Sequence, residues 1–328
     1  MDMPTSALTG ISLKDMFDAG LHFGHQTKRW NPKMKGYIFD KRGGIHIIDL
    51  SQSVQLLDEA AGFLRETVLA GKKVLFVATK KQAAELVQQA AESVEQFWMT
   101  ERWLGGTLTN AKTIRSSVKR MRQLQATAKQ NGGQLSEHKQ ENSVLRRELA
   151  KLEKNLTGVA DMAELPGALI VVDVVREANA VKEAVRLGIP VVAIVDTNAD
   201  PEPIDYVIPG NDDSVNGVKL IIDGLVKVIA GANTEYGAIA AAENAKRDQE
   251  RKARDEAEKA ARAERKAKAV SEKPARTAKK TSVAASVKAA ARKAKEEAEN
   301  KAKADLAAKR QAAVVEAEAA VKAAEPQA

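Results

Sequence analysis

Two histidines three residues apart are the first side chains in this sequence that could do chemistry. His22 and His25 would lie one turn apart on a helix, and imidazole nitrogens are preferred ligands of zinc. A zinc ion would need one or two more ligands, and Asp196 and Asp200, at the end of a predicted strand, could supply them. A lone H-x-x-H motif is a weak signal for a metal site. The alternative, which we favour, is that one histidine packs in the core and the other hydrogen-bonds to the backbone or to RNA.

Basic and aromatic side chains follow directly after the histidines. Four cations surround Trp30 and precede Tyr37. Cations of this kind neutralise phosphates, while an exposed aromatic ring or an arginine plane stacks on an unpaired base. The segment is therefore a candidate RNA-binding arm, although Trp30 and Pro32 could instead pin it to the rest of the protein. The cations are Lys28, Arg29, Lys33 and Lys35.

A second basic stretch contains no acidic residue from Arg102 to Ser136. Residues 102–154 carry 12 basic and 4 acidic side chains, a net charge of +8, whereas the rest of residues 1–240 sums to −8. Solvated helix faces usually mix charges of both signs, so this segregation predicts a surface for a polyanion. Steps of three and four residues put the main cations on one helix face. They are Lys112, Arg115, Lys119 and Arg122.

Short apolar runs alternate with amphipathic helical patterns through most of the chain. Such runs predict parallel strands buried on both faces, and right-handed crossovers would join them into one doubly wound α/β sheet. Ligands of such sheets bind beyond the carboxyl ends of the strands. A last helix is predicted from about residue 213 to 230. The predicted strands are Ile45–Asp49, Lys73–Thr79, Gln96–Met99, Ala168–Asp173, Pro190–Asp196 and Tyr206–Pro209.

A segment without any strand pattern interrupts this alternation. Apolar residues repeat in it at steps of four and three on both sides of a turn at Gly132 and Gly133. Two such narrow stripes predict an antiparallel helical hairpin that is inserted in the α/β domain and projects from it. The α/β domain would then comprise residues 1–106 and 158–240, and the hairpin residues 107–157. The stripe positions are Ile114, Val118, Met121, Leu145, Leu149, Leu152 and Leu156.

Residues 241–328 have the composition of a low-complexity tail, rich in alanine, lysine and glutamate. The tail carries 23 basic and 15 acidic side chains, which accounts for the whole formal charge of +8. We expect it to be disordered or loosely helical, with a weak attraction for polyanions. A separate hypothesis makes the tail the active part of the protein, as a nonspecific RNA- or DNA-binding arm.

Several other classes of chemistry are excluded or weakened by the sequence. The absence of cysteine excludes disulfides, iron–sulfur clusters, thiolate zinc sites and cysteine nucleophiles. No glycine-rich nucleotide-binding motif follows the first predicted strands, and no G-x-S-x-G elbow is present. No apolar run could span a membrane and no secretion signal is visible, so we expect a cytoplasmic protein.

The rival hypothesis is a small-molecule enzyme that acts on a phosphorylated substrate near the strand ends and near Gly105 and Gly106, where a helix is predicted to begin. Acids at the ends of strands often cap the next helix or turn instead, which weakens this hypothesis. The candidate catalytic residues would be His22, His25, His46, Asp49, Asp173 and Asp196.

Several longer stretches resemble one known family. They are AGLHFGHQTKRWNPKMKGYIF, GIHIIDL, VLFVATKKQA, RWLGGTLTN, the run P-x-x-L-I-V-V-D-x-x-x-E-x-x-x-V-x-E-x-x-x-x-G-I-P from Pro166 to Pro190, AIVDTNADP and VIPGNDD, which occur in that family's order across roughly residues 8–232. Together they resemble the bacterial small-subunit ribosomal protein "S two" family. The resemblance implies a flavodoxin-like sheet with an inserted coiled-coil hairpin, in a structural component of the ribosome that is not an enzyme. The alanine- and lysine-rich tail is longer than the family pattern.

The resemblance also implies partners and RNA-binding positions. The partners would be small-subunit ribosomal RNA and other small-subunit proteins, including the messenger-binding protein "S one", with no membrane and no small-molecule substrate. No cofactor is implied, and zinc at the histidines remains an open alternative. The RNA-binding candidates are Lys28, Arg29, Trp30, Asn31, Lys33, Lys35, Arg102, Asn110, Lys112, Arg115, Lys119 and Arg122.

Overall fold

The computed structural model describes the backbone of residues 5–322. Side chains are described for these residues except 263–284, 302 and 304–322. The first four residues of the predicted α/β domain and residues 323–328 of the predicted tail lie outside the described residues. The chain divides into two compact units, residues 1–243 and residues 244–328, and each is described by itself. The boundaries of the predicted domains stay predictions.

Of the two sheets that the described residues form, the first along the chain is small and antiparallel. Its strands are β1 (Phe23–Gln26), β2 (Ile38–Arg42) and β3 (Ile45–Ile48), in the order β1-β3-β2. The prediction that Ile45–Asp49 belongs to the parallel sheet is wrong. Gly43 and Gly44 have φ values of +57° and +78°, which suit a two-residue hairpin turn, so β3 folds back along β2.

A five-stranded parallel sheet forms the centre of the first unit. Its strands are β4 (Val74–Val77), β5 (Phe97–Met99), β6 (Ala168–Val172), β7 (Val191–Val195) and β8 (Tyr206–Pro209). Their order is β5-β4-β6-β7-β8, which counted along the chain is 2-1-3-4-5, the flavodoxin-like arrangement. The doubly wound sheet is therefore confirmed, and its strand order reverses between β4 and β6.

The described residues contain seven α-helices. The last of them was predicted to end near residue 230, and this is wrong, because the alanine-rich sequence that follows consists largely of strong helix formers. The helices are α1 (Leu13–Asp18), α2 (Leu50–Leu69), α3 (Lys81–Ser93), α4 (Ala111–Gln130), α5 (Lys139–Leu156), α6 (Ala178–Leu187) and α7 (Val215–Lys322).

The sheet separates two clusters of buried side chains, because successive residues of a strand point to opposite faces. Val74 and Phe76 of β4 enter one cluster, together with buried side chains of α2, α3 and the first part of α7. Leu75 and Val77 enter the other cluster, together with α6, the base of the hairpin and Met34. Since both faces are covered, the strands read as continuous apolar runs, as predicted.

The inserted hairpin is confirmed as the pair α4 and α5. Val118, Met121 and Leu124 of α4 are buried, and so is Leu156 at the end of α5. Ion pairing and hydrogen bonding between Arg120 and Glu148, at 3.1 Å, add a polar link between the helices. Val118 and Met121 also belong to the second core cluster, so the base of the hairpin packs against the α/β body.

In the second unit α7 continues to Lys322, and an ion pair at 3.8 Å joins Glu299 to Lys303 one turn later. The expectation that the tail is disordered or loosely helical in solution stays a prediction. Among the helices that the structure describes, none combines the length and the apolar character that crossing a lipid bilayer requires.

Candidate nucleic-acid interface

The predicted arm is fixed to the carboxyl end of the parallel sheet by its own backbone. The Asn31 N–H donates a hydrogen bond of 2.7 Å to the carbonyl oxygen of Thr197, just after β7. Its side-chain oxygen accepts from the Lys33 N–H at 3.0 Å and so caps a short 3-10 helix, Pro32–Tyr37. Met34 in that helix is fully buried. Asn31 therefore positions the arm.

Trp30 acts as an anchor of the arm. Its ring lies 5.1 Å from the ring of His46, at an angle of 38°, and is half-buried. His46 is buried beneath it, and among the described residues neither of its ring nitrogens has a hydrogen-bond partner. Both side chains belong to the segment Phe23–Ile48, so their contact joins the arm to β3. This geometry supports the alternative that Trp30 pins the arm.

The cations of the arm fall into two groups. Lys33 Nζ pairs with Asp200 at 2.9 Å and with Glu202, and the pKa of Lys33 is raised by these hydrogen bonds, that to Glu202 first. Lys28, Arg29 and Lys35 are exposed, and their side chains form no ion pair among the described residues. Three of the four predicted cations are therefore free to meet a phosphate, and Lys33 is committed to the protein itself.

The basic face of α4 divides in the same way. Lys112 and Lys119 are exposed, and neither has an ion-pair partner among the side chains that the structure describes. Arg115 donates to the carbonyl oxygen of Ala163, and Arg122 donates to that of Ala160 at 3.0 Å. Arg122 also pairs with Asp161 at 2.5 Å. The two arginines thus bridge α4 to the segment after the hairpin, while the two lysines face solvent.

The loop before α4 is organised around Glu183 of α6. Its carboxylate accepts hydrogen bonds from the backbone N–H of Gly106 at 2.7 Å and of Leu108 at 3.0 Å, and from the indole N–H of Trp103 at 3.0 Å. Burial, the largest influence, raises the pKa of Glu183, but these hydrogen bonds outweigh it and hold the pKa below its ordinary value. The rival hypothesis placed a substrate phosphate at this loop, and that is wrong, because an internal carboxylate already uses its amide donors.

The remaining two candidates lie at either end of the same loop. Arg102 is exposed and forms no ion pair in the described part of the chain. Asn110, also exposed, accepts a hydrogen bond of 3.0 Å from the hydroxyl of Thr113 and so supports the first turn of α4. Arg102 is available for RNA, whereas the Asn110 side chain is engaged at the helix terminus.

The crevice where the strand order reverses is also filled by the protein's own side chains. Ligands of flavodoxin-like sheets bind at this point. Here the buried Glu177 carboxylate accepts hydrogen bonds from the Thr79 N–H, at 3.1 Å, and from its hydroxyl. Burial raises the pKa of Glu177, against the hydrogen bonds from Thr79. The candidate acid Asp173 accepts from the Arg176 N–H at 3.0 Å, and Asp49 caps α2 at the Ser51 N–H, also at 3.0 Å.

A buried lysine, Lys80, forms ion pairs with acids that follow strands β6 and β8. Lys80 Nζ lies 2.9 Å from Asp212, 2.5 Å from Asp213 and 3.8 Å from Asp173. Burial lowers the pKa of Lys80, but its hydrogen bonds to Asp212 and Asp213 outweigh this and raise it. Burial, only partly offset by Lys80, raises the pKa of Asp212 to about 6. The cluster is a compact network of charges in which Lys80 and Asp212 are buried and Asp213 is exposed.

The structure does not bring the four predicted zinc ligands together. His22 stacks on Phe17, with ring centroids 4.2 Å apart, because the segment after α1 is a turn and a strand and not the helix that the spacing assumed. Asp200 faces Lys33. His25 in β1 does meet Asp196: its Nδ1 atom lies 2.9 Å from the Asp196 Oδ2 atom, and this close carboxylate raises the pKa of His25.

A different trio of potential ligands lies beside His25. One ligand atom each of His25, Asp212 and Asp213 falls within 4.8 Å of the others. Lys80 already neutralises both of these carboxylates, so the arrangement is explained without a metal ion.

Sequence reasoning missed the side chains that organise these sites, namely Lys80, Glu177, Glu183 and Asp212. The acidic pair of Asp212 and Asp213 directly after the last strand was a readable signal, because polar groups at strand ends converge on one edge. Glu177 and Glu183 are both specified positions of the family-like run from Pro166 to Pro190, which was a signal for these two residues although it assigned them no role.

The sheet is flavodoxin-like, and the protein's own carboxylates occupy the positions where a ligand was considered. The arm and the hairpin carry exposed cations. This combination is typical of a scaffold of the polyanion-binding class. Residues 16–232 match the family model described as Ribosomal protein S2, and the chain belongs to that family. The resemblance read from the sequence is therefore confirmed. Members of the family are structural proteins of the small ribosomal subunit, and this chain is one of them and not an enzyme.

Curated relatives agree with this assignment. The chain is 49% identical over 222 residues to small ribosomal subunit protein uS2 of Solibacter usitatus, covering 68% of this chain and 73% of the relative. It is 47% identical over 242 residues to the protein of the same name in Hyphomonas neptunium, covering 71% and 92%. It is 48% identical over 226 residues to small ribosomal subunit protein uS2c of Cyanophora paradoxa, covering 69% and 97%.

Proposed function

We propose that this chain binds small-subunit ribosomal RNA through two sets of cations on its first unit. The first set is Lys28, Arg29 and Lys35 of the arm, and the second is Lys112 and Lys119 of α4, with Arg102 nearby in sequence. The observation that carries the proposal is that these cations are exposed and unpaired among the described residues, whereas their neighbours Lys33, Arg115 and Arg122 are bound to acids or carbonyl oxygens.

The proposed contacts are mainly to phosphates. Each lysine or arginine that neutralises a phosphate releases condensed counterions, so affinity falls steeply as salt rises. The tethered side chains have a complementary structural role, because Trp30, Asn31 and Lys33 hold the arm in place while Arg115 and Arg122 hold the hairpin. Phosphate contacts of this kind position a protein on folded RNA without reading its sequence.

Protein partners complete the proposal. We expect neighbouring small-subunit proteins and the messenger-binding protein "S one" to contact this chain, as the family resemblance implies. Co-purification of that protein with small subunits that contain this chain, and its loss from subunits depleted of the chain, is the expected result. Equal amounts in both preparations would contradict it.

RNA binding as proposed here needs no cofactor, and zinc near His25 stays a hypothesis. Elemental analysis of the purified protein tests it, with the His25→Ala variant beside the wild type. His22→Ala is the matched control, because His22 stacks on Phe17 away from the carboxylates. A wild-type protein free of zinc ends the hypothesis.

The RNA proposal is tested by the salt dependence of binding to purified small-subunit ribosomal RNA. The double variant Lys112→Ala and Lys119→Ala should bind more weakly and reduce the salt slope by about two, one for each lost phosphate contact. The control removes the same charge elsewhere, by Lys182→Ala and Lys219→Ala, at two exposed lysines of α6 and α7. Equal slopes in the test and control variants would overturn the proposal for α4.

A further inference from the structure

A groove lies between α4 and the segment that follows the hairpin, residues 159–163. Its volume is about 660 Å³, within the range of clefts that hold small ligands. Apolar side chains line it from both sides, among them Ile114 and Val118 of α4, and Val159 and Met162 of the facing segment. The residues that line the groove do not include those of the crevice around Glu177 or of the cluster around Lys80.

Three cations are among the side chains that line this groove. Arg115, Lys119 and Arg122 all line it, against the single acid Asp161, so the lining carries a net charge of +2. Asp161 is already paired with Arg122. The sequence from 102 to 136, which includes the whole of α4, contains no acid. A polyanion therefore matches the net charge of the lining, which also includes apolar side chains.

Hydrogen bonds hold the side chains of the two arginines that line the groove. Arg115 is bound to the carbonyl oxygen of Ala163, and Arg122 to that of Ala160 at 3.0 Å. A guanidinium plane fixed in this way is a surface on which a base can stack, and it loses little freedom when it does so. Lys119 has no such tether among the described residues and stays available to a phosphate.

We propose that this groove receives one unpaired nucleobase of small-subunit ribosomal RNA. The base packs on the apolar side chains and the fixed arginine planes, while Lys119 contacts the adjoining phosphate. This inference rests on the proposed RNA-binding function and adds a subsite to it. Double-stranded RNA cannot enter the groove, because paired bases are stacked inside the helix, so the nucleotide comes from a loop, a bulge or an end.

The test uses the full chain in intact small subunits. A benzophenone amino acid replaces Ala126, an exposed residue of α4 that lines the groove, and the subunits are irradiated. A crosslink to one unpaired nucleotide of the ribosomal RNA is expected. The control carries the same group at Ser116, which is exposed on α4 but does not line the groove, and should not reach that nucleotide. Gln123, which also lines the groove, is a second position if the Ala126 variant does not assemble.

The outcomes separate this subsite from the proposed function. A crosslink from Ala126 or Gln123 to a ribosomal protein, or none in subunits that have incorporated the variants, overturns the subsite. The salt slope of the single variant Lys112→Ala, whose lysine lies on α4 but does not line the groove, reports on RNA binding by α4 independently of the subsite. A reduced slope without a crosslink means that α4 binds RNA and the groove does not hold a base.

Discussion

The Glu183 carboxylate lies 3.0 Å from the indole nitrogen of Trp103 and joins α6 to the loop that leads into the hairpin. The same carboxylate binds the backbone N–H groups of Gly106, Leu108 and Thr109. A loop with two adjacent glycines is costly to order, so an internal anion that binds several of its donors fixes its conformation. The direction in which α4 begins thus depends on one side chain of another helix.

Replacing Glu183 should destabilise the first unit. Glu183→Ala leaves several N–H groups without their acceptor, so the free energy of unfolding should fall by about 2 kcal/mol, and Glu183→Gln should cost less because the amide oxygen still accepts. Urea unfolding of the full chain, followed by tryptophan fluorescence, measures this. Lys182→Ala, the exposed neighbour on α6, is the control. An alanine variant as stable as that control would contradict the assigned role.

Asp212 should make the protein less stable as the pH rises. Its folded-state pKa of about 6 lies above the ordinary value of 3.8, so the folded state holds the proton over a range in which the unfolded chain has lost it. This contribution to stability is present below about pH 4 and is lost as the pH rises to about 6. The loss is on the order of 2–3 kcal/mol.

Asn at this position imitates the protonated acid at every pH. The Asp212→Asn variant should therefore gain stability relative to the wild type between pH 4 and pH 7, as measured by urea unfolding at each pH. Asp223→Asn, on the exposed side of α7, is the control. A stability difference that does not change with pH would show that Asp212 is ionised throughout this range.

Two lysines of the arm should differ in their effect on RNA binding. Lys33 is already neutralised by Asp200 and Glu202, whereas Lys35, two residues away, has no ion-pair partner in the part of the chain described. Lys35→Ala should reduce the salt slope of binding to small-subunit ribosomal RNA by about one, and Lys33→Ala by clearly less. Equal reductions would mean that Lys33 leaves its acids when RNA binds.

Particular residues show how far the sequence could be read. The runs Lys73–Thr79 and Ala168–Asp173 predicted buried parallel strands because burial on both faces leaves a continuous apolar pattern, which local sequence does reveal. Ile45–Asp49 looked similar, but its pairing was decided by the two glycines before it. The sequence does not show which cations are free of ion pairs. Lys33, for example, pairs with Asp200, which is 167 residues away along the chain, and such contacts exist only after folding.

The C-terminal tail should be dispensable for incorporation into the small subunit. The family match ends at residue 232, and the tie between Arg65 and Glu235 at 2.8 Å lies within the first unit, so a chain that stops after residue 243 keeps both. This truncation removes 23 basic and 14 acidic side chains, a net charge of +9, and leaves a chain of net charge −1 that keeps the proposed RNA-binding cations. We therefore expect normal incorporation, measured by sedimentation, and weaker binding to unrelated RNA at low salt.

The full-length chain provides the first control for this truncation, and the Lys112→Ala and Lys119→Ala variant of the full chain provides the second. If the first unit carries specific binding, that variant should enter subunits less well than the truncated chain, although it has lost far fewer cations. Loss of incorporation on truncation alone would instead favour the hypothesis that the tail is the active RNA-binding part. The comparison separates a local arrangement of free cations from bulk charge as the origin of binding.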